Sequence, residues 1–131
     1  MIIALDYGTK RVGVAVTEDT ERIAVSTNPI LYKIESELLV SLSEVIKKYT
    51  PNLIILGIPL GHEDKPTQMS IKVKEFAQTI RDEFNLEIIF WNEVMTSRAA
   101  SQFVKNDKSG KLDSESARII LQEYLDFRNS K

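Results

Sequence analysis

The sequence predicts an α/β fold: a mixed five-stranded sheet of three antiparallel strands followed by two βαβ crossovers, with helices on both faces. Three observations carry this expectation. Short β-branched runs open the chain, separated by glycine-bearing or polar turns. Two apolar stripes at spacings of three and four come next, the mark of amphipathic helices. Each stripe is followed by a continuous apolar run, as expected of a parallel strand covered on both sides.

Ile2 to Leu5 and Val12 to Val16 are the first two strands, joined through Gly8-Thr9-Lys10-Arg11. A third, Ile23-Ala24-Val25-Ser26, follows the polar turn Glu18-Asp19-Thr20-Glu21-Arg22 and completes an antiparallel meander. Leu38, Leu42, Val45, Ile46 and Tyr49 then mark a helix that ends before Pro51. Leu53-Ile54-Ile55-Leu56, closed by Gly57-Ile58-Pro59, is the fourth strand. Val73, Phe76, Ala77, Ile80 and Phe84 form the second helical stripe, and Ile88-Ile89-Phe90-Trp91 the fifth strand. A short helix from about Thr96 to Val104 and a polar, mobile loop from Lys105 to Lys111 are expected next. Ala117, Ile120, Leu121, Tyr124 and Leu125 share one face of a final helix. Crossovers of this kind are right-handed, so the carboxyl ends of strands one, four and five share one edge. Ligands of open α/β sheets bind at that edge.

A chain of 131 residues suits one domain over residues 1–131 and buries enough surface to fold without a metal or disulfide. Seventeen Lys and Arg against nineteen Asp and Glu leave a net charge of −2, so any nucleic-acid site must be a local patch. The absence of cysteine excludes a disulfide framework and thiolate metal centres. No signal-type segment or membrane-length apolar run is present, and a soluble cytoplasmic protein is expected.

The chemistry lies in three carboxylates. Asp6 ends the first strand, Glu93 follows the fifth, and Asp113 begins the last helix, so the topology brings three acids distant in sequence to one edge. Clustered carboxylates repel one another, and a divalent cation is what lets them coexist. An all-oxygen set suits Mg²⁺ or Mn²⁺. Two such ions about 4 Å apart can hold a phosphodiester, activate a water and stabilise attacking and leaving oxygens. Each acid has a local alternative: Asp6 as an Asx-turn on Gly8 or Thr9, Glu93 as a solvated loop acid, Asp113 as an N-cap. Glu63 and Asp64, with the single histidine His62, lie on a loop near the same edge. Lys10, Arg11, Lys65, Arg98, Lys105, Lys108 and Lys111 fall in loops or helix starts that can rim it, either as a basic patch for a phosphate backbone or as scattered solubilising charge.

Four segments run in order along nearly the whole chain: Leu5-Asp6-Tyr7-Gly8-Thr9-Lys10-Arg11-Val12-Gly13-Val14-Ala15, Leu56-Gly57-Ile58-Pro59-Leu60, Asn92-Glu93-Val94-Met95-Thr96-Ser97-Arg98-Ala99, and Leu112-Asp113 through Leu125. Together they resemble the YqgF family of Holliday-junction-resolvase-like nucleases. The resemblance implies a ribonuclease H-like fold, catalytic carboxylates at Asp6, Glu93 and Asp113, and a cytoplasmic nuclease. Its implied task is processing the 5′ end of pre-16S ribosomal RNA; cleavage of four-way DNA junctions is the alternative, and the first needs only a monomer where the second favours a homodimer. Three departures stand out. Asn92-Glu93-Val94 replaces the family's usual Asp-Glu-Arg, Asp64 and Thr67 stand where glycines are common, and the loop before Asp113 is short.

Two other classes of function share these residues. Asp6-x-Gly8-Thr9 before a strand resembles the first phosphate loop of actin-like ATPases, but the chain is short for their two lobes and shows no second glycine-rich loop. A non-catalytic RNA-binding or assembly module would keep the fold without turnover, as Asn92 and Val94 allow.

Overall fold

The computed structural model describes residues 1–59, 67–92 and 111–130, with side chains from Ser114 onward in the last stretch. Five strands are hydrogen-bonded in the order β3-β2-β1-β4-β5. They are β1 (Ile2–Tyr7), β2 (Arg11–Thr17), β3 (Ala24–Leu31), β4 (Leu53–Ile58) and β5 (Glu87–Asn92). Three helices accompany them: α1 (Glu35–Tyr49), α2 (Gln68–Phe84) and α3 (Lys111–Asn129). β1 pairs antiparallel with β2, and β2 with β3, whereas β4 runs parallel to both β1 and β5. The predicted mixed sheet is therefore present. The expected short helix from Thr96 to Val104 and the loop before Lys111 lie outside the described residues.

Strand alternation divides the core into two layers. Ile3, Leu5, Val12, Val14, Ile54 and Leu56 face Leu38 and Leu42 of α1 and Val73, Phe76 and Ile80 of α2. Ile2, Ala4, Ala15, Leu53 and Ile55 face Ala117, Ile120, Leu121 and Leu125 of α3. The small residues Ala4, Ala15, Ala24 and Ala117 on the second side let α3 lie close on the sheet. β4 is buried along its whole length, which explains its uninterrupted apolar sequence.

Helix ends follow from local chemistry. α1 stops where Thr50 enters the left-handed region at φ 43°, just before Pro51, and α2 stops at Asn85 with φ 53°. At the start of α1, Ile34 has no side-chain acceptor; Glu37 instead reaches back to accept from the amides of Lys33 and Ile34 at 2.9 and 3.1 Å. Thr67 caps α2 by accepting from Ser70 N–H at 3.1 Å, Ser70 Oγ accepts from Thr67 N–H at 2.7 Å, and the Thr67 hydroxyl donates to the Pro59 carbonyl at 2.9 Å. Thr67 thus ties Pro59, just past β4, to the start of α2.

Two expectations require correction. The third strand was expected over Ile23–Ser26, yet it runs from Ala24 to Leu31. Pro29, which cannot donate to a ladder, is accommodated because the β2–β3 register shifts between Val12 and Val14 on an edge strand. The last helix begins at Lys111, so Asp113 sits inside its first turn and not at the capping position.

The turn from β2 to β3 offers a test of pH linkage. The Thr20 hydroxyl and then the Arg22 amide bond the exposed Glu18 carboxylate, holding its pKa at about 2 against an ordinary 4.5. A depressed folded pKa contributes stability that is complete above the unfolded value and fades as pH falls through the folded one. In urea titrations, wild type should therefore lose its advantage over Glu18→Gln between about pH 4.5 and pH 2. An advantage independent of pH over that range would contradict the assignment.

Candidate active site

Asp6 stands at the carboxyl end of β1, half-buried and opposite Gly13 of β2. Ile2 and Ala4 belong to the α3 side of the sheet, and alternation places Asp6 on that side too. Gly13 has no side chain to occupy the space opposite. The next residue, Val14, donates its amide to the buried Ser114 hydroxyl at 3.4 Å. This bond brings the start of α3 over the end of β1, and Ser114 is the neighbour of Asp113. The side chain of Asp113 is not among those described.

α3 is pinned along its length. Gln122 accepts from the Ala24 amide at 2.9 Å and donates to the Arg22 carbonyl at 2.9 Å. Arg128 donates to the Glu21 carbonyl at 3.0 Å, and Glu21 in turn pairs with the amino terminus at 2.9 Å. The helix therefore runs from the carboxyl edge, at Ser114, to the amino edge, beside Met1. Glu115 is paired with Arg118, whose pKa that hydrogen bond raises, so this acid is engaged within the helix.

On the far side of β1, Leu56 of β4 is level with Leu5 and Ile58 with Asn92. β5 lies two strand spacings from β1, about 10 Å between α-carbons. Asn92 ends β5 at this same edge, and Glu93, the next residue, lies outside the described residues. Of the three acids, the structure fixes the side of the sheet for Asp6 and the helical turn for Asp113. Among the described residues no group of three or more acids, histidines or cysteines is gathered around a common point.

The β1–β2 turn that follows Asp6 is closely packed. A Cβ at position 8 would lie 2.6 Å from the Arg11 carbonyl oxygen, so this close approach requires glycine. Tyr32, just past β3, donates its hydroxyl to the Gly8 carbonyl and its amide to the Lys10 carbonyl, the latter at 3.1 Å. Burial first, and a hydrogen bond with Tyr7 second, push the Tyr32 hydroxyl well above the usual phenol range. Gly8→Ala forces a backbone shift, and its urea midpoint should correspond to a loss of about 1–3 kcal/mol. A midpoint equal to wild type would show that the turn yields freely.

Of the predicted basic rim, Lys10 is exposed in this turn and Arg11, partly buried, begins β2. Lys65, Arg98, Lys105 and Lys108 lie outside the described residues, as do His62, Glu63 and Asp64, while Lys111 is located by its backbone alone. The residues not singled out from sequence are Ser114 and a group around Tyr7 on the opposite side of β1. Ser114, Ala117 and Leu121 share the i, i+3, i+7 spacing of the buried stripe, which was a legible signal for Ser114.

Comparison with known proteins adds to this geometry. The family profile described as "RuvX: Holliday junction resolvase" matches residues 1–127. A protein of Rickettsia felis named "Putative pre-16S rRNA nuclease" is 30% identical over 131 residues, covering 95% of this chain and 85% of its own. One of the same name from Caldanaerobacter subterraneus is 28% identical and is covered, as is this chain, to 98%. Among solved structures, Thermus thermophilus RuvC in complex with a Holliday junction substrate superposes with a TM-score of 0.61 at 13% identity, covering 98% of this chain and 95% of that one. The fowlpox virus Holliday junction resolvase does so with a TM-score of 0.56 at 14% identity, covering 96% and 98%. At such identities these likenesses speak for the fold, which is ribonuclease H-like.

Proposed function

The chain belongs to the RuvX (YqgF) family, described as Holliday junction resolvases, and from that membership we propose a divalent-metal-dependent nuclease that processes the 5′ end of pre-16S rRNA. As a member of a nuclease family it is a hydrolase acting on ester bonds. The observation that supports the reading most is the place of Asp6: the carboxyl end of the central β1, on the side where the first turn of α3 lies. Strand parity favours the second acid. Ile89 and Trp91 pack on the α3 side, and an extended continuation of β5 would put Glu93, two residues on, on the side of Asp6.

The donor set fits a hard cation. It is three carboxylates, in a chain with no cysteine and one histidine, which suits Mg²⁺ or Mn²⁺ and not a structural zinc. Asp6, Glu93 and Asp113 would hold it, and the bound ion would supply charge neutralisation at the phosphodiester and a water of lowered pKa. The remaining work falls to the chain. The Gly8 turn keeps Asp6 in place, and the exposed Lys10 meets the phosphate backbone as a point charge. Arg11 begins β2 beside it, and Lys65, Arg98, Lys105, Lys108 and Lys111 are the further cations this reading assigns to that rim. With Val94 where the family's arginine is usual, the chain has one guanidinium fewer in that segment, and this reading gives the other cations more of the binding. A monomer in the cytoplasm suffices to trim one RNA end, and no helix among the described residues is long and apolar enough to cross a membrane.

The test presents a precursor 16S leader RNA and a four-way DNA junction to the same protein, with Mg²⁺ or Mn²⁺. Faster cleavage of the RNA supports the reading. Cleavage of the junction alone would reassign the substrate, and binding of RNA without any cleavage would leave an assembly module.

A further inference from the structure

Asp6 and Tyr7 are consecutive residues of β1, so they point to opposite sides of the sheet. Asp6 belongs to the α3 side. Tyr7 packs with the α1 and α2 layer, its ring 4.8 Å from that of Phe76. Beside it is a cavity of about 330 Å³ lined by Tyr7, Tyr32, Glu35, Lys72, Glu75 and Phe76. It shares an edge with the proposed metal site and is separated from it by the thickness of one strand. A nucleic-acid strand with its phosphate at Asp6 would have to turn over the end of β1 to bring a neighbouring nucleotide to this opening.

The lining suits a nucleobase. Its volume lies at the small end of the roughly 300–1,000 Å³ range of ligand pockets, right for a single flat group. Tyrosine rings offer stacking surfaces, the usual means of holding an unpaired base. The polar groups are more selective. Lys72 and Glu75 lie three residues apart on α2 and so share a face, giving a cation beside a carboxylate. Glu35, at the start of α1, adds a second carboxylate to the lining. None of these three side chains has a hydrogen bond or ion pair among the described residues, and all three are exposed.

A carboxylate accepts two parallel hydrogen bonds, and a lysine donates. Guanine alone among the RNA bases presents two adjacent donors, N1–H and the N2 amino group, next to an acceptor, O6. Adenine would set its amino group against the lysine and a lone pair against the carboxylate. Uracil has one donor, and cytosine sets two acceptors beside its amino group. Resting on the nuclease reading above, we infer that this pocket receives an unpaired guanine flanking the scissile phosphate, stacked on Tyr7 and Tyr32 and read by Glu75 and Lys72. The same Tyr32 hydroxyl that borders the pocket bonds the Gly8 carbonyl, so an occupied pocket also steadies the turn that holds Asp6.

The experiment is equilibrium binding of short single-stranded RNAs to the full chain in metal-free buffer, where cleavage does not intervene. The RNAs carry one guanine, or inosine, which lacks only the N2 amino group, or adenine at that position. Wild type should bind the guanine RNA about tenfold more tightly than either, and Asp6→Asn should keep that preference. Glu75→Gln and the double variant Glu35→Gln/Glu75→Gln should lose the preference while retaining binding to the adenine RNA. Equal affinity of wild type for all three RNAs overturns the pocket, as does a preference untouched in the double variant. A preference without cleavage in Mg²⁺ or Mn²⁺ would leave the pocket standing and remove the nuclease reading; cleavage without a preference would do the reverse.

Discussion

Asp6→Asn is expected to abolish cleavage while leaving the fold intact. The substitution keeps the shape and one acceptor of the side chain and removes its charge. A carboxylate ligand of a catalytic cation contributes several kcal/mol of transition-state stabilisation, and each 1.36 kcal/mol is a factor of ten in rate. The expected fall is therefore roughly 10²–10⁴-fold. Asp6 belongs to neither apolar layer, so the melting temperature should stay within a few degrees of wild type. Loss of activity accompanied by unfolding would say nothing of chemistry, whereas a folded variant with wild-type rates would show that Asp6 serves only the turn.

Leu121→Ala should produce the largest loss of stability. Leu121 is fully buried at the centre of the α3 layer, with Ile120, Leu125 and Ala117 around it and Ile2, Ala4 and Ile55 beneath. Removing three carbons from such a position costs about 2–5 kcal/mol, a transfer contribution plus the cavity left behind. Against a total stability of about 5–15 kcal/mol that is a large share. Because α3 also carries Asp113, activity should fall more steeply with temperature in this variant than in wild type. A urea midpoint within 0.5 kcal/mol of wild type would mean that the helix is held by its polar ties at Ser114, Gln122 and Arg128 and not by its apolar stripe.

Much of this was legible in the residues themselves. The β-branched runs around Asp6, the two helical stripes and the apolar runs after them place each strand of the sheet, because period and burial are local properties of a chain. The carboxyl edge followed from handedness. What escaped depends on contacts between distant segments. Nothing near Pro29 announces that β3 continues through it, since that requires a register shift against β2. The start of α3 at Lys111 displaces Asp113 from the cap that its residue type suggested. Ser114 finds its partner in Val14, a hundred residues away. The pocket beside Tyr7 draws on β1, the segment after β3, α1 and α2, and no one of these carries a signature alone. At the carboxyl edge, Asp6 stood out because a carboxylate at the end of an apolar strand is costly to bury; Glu93 and Asp113 were read as its partners from the inferred strand order and the family resemblance, and Glu93 lies outside the described residues.

That Asp6, Glu93 and Asp113 form one divalent-metal site is the central claim, and Mn²⁺ binding measured by calorimetry on the wild type and on Asp6→Asn, Glu93→Gln and Asp113→Asn tests it most directly. Each single substitution should weaken binding by about tenfold or more, because each removes a charged ligand from the same site. Wild-type affinity in Glu93→Gln or Asp113→Asn would contradict the claim and leave Asp6 without the partners assigned to it.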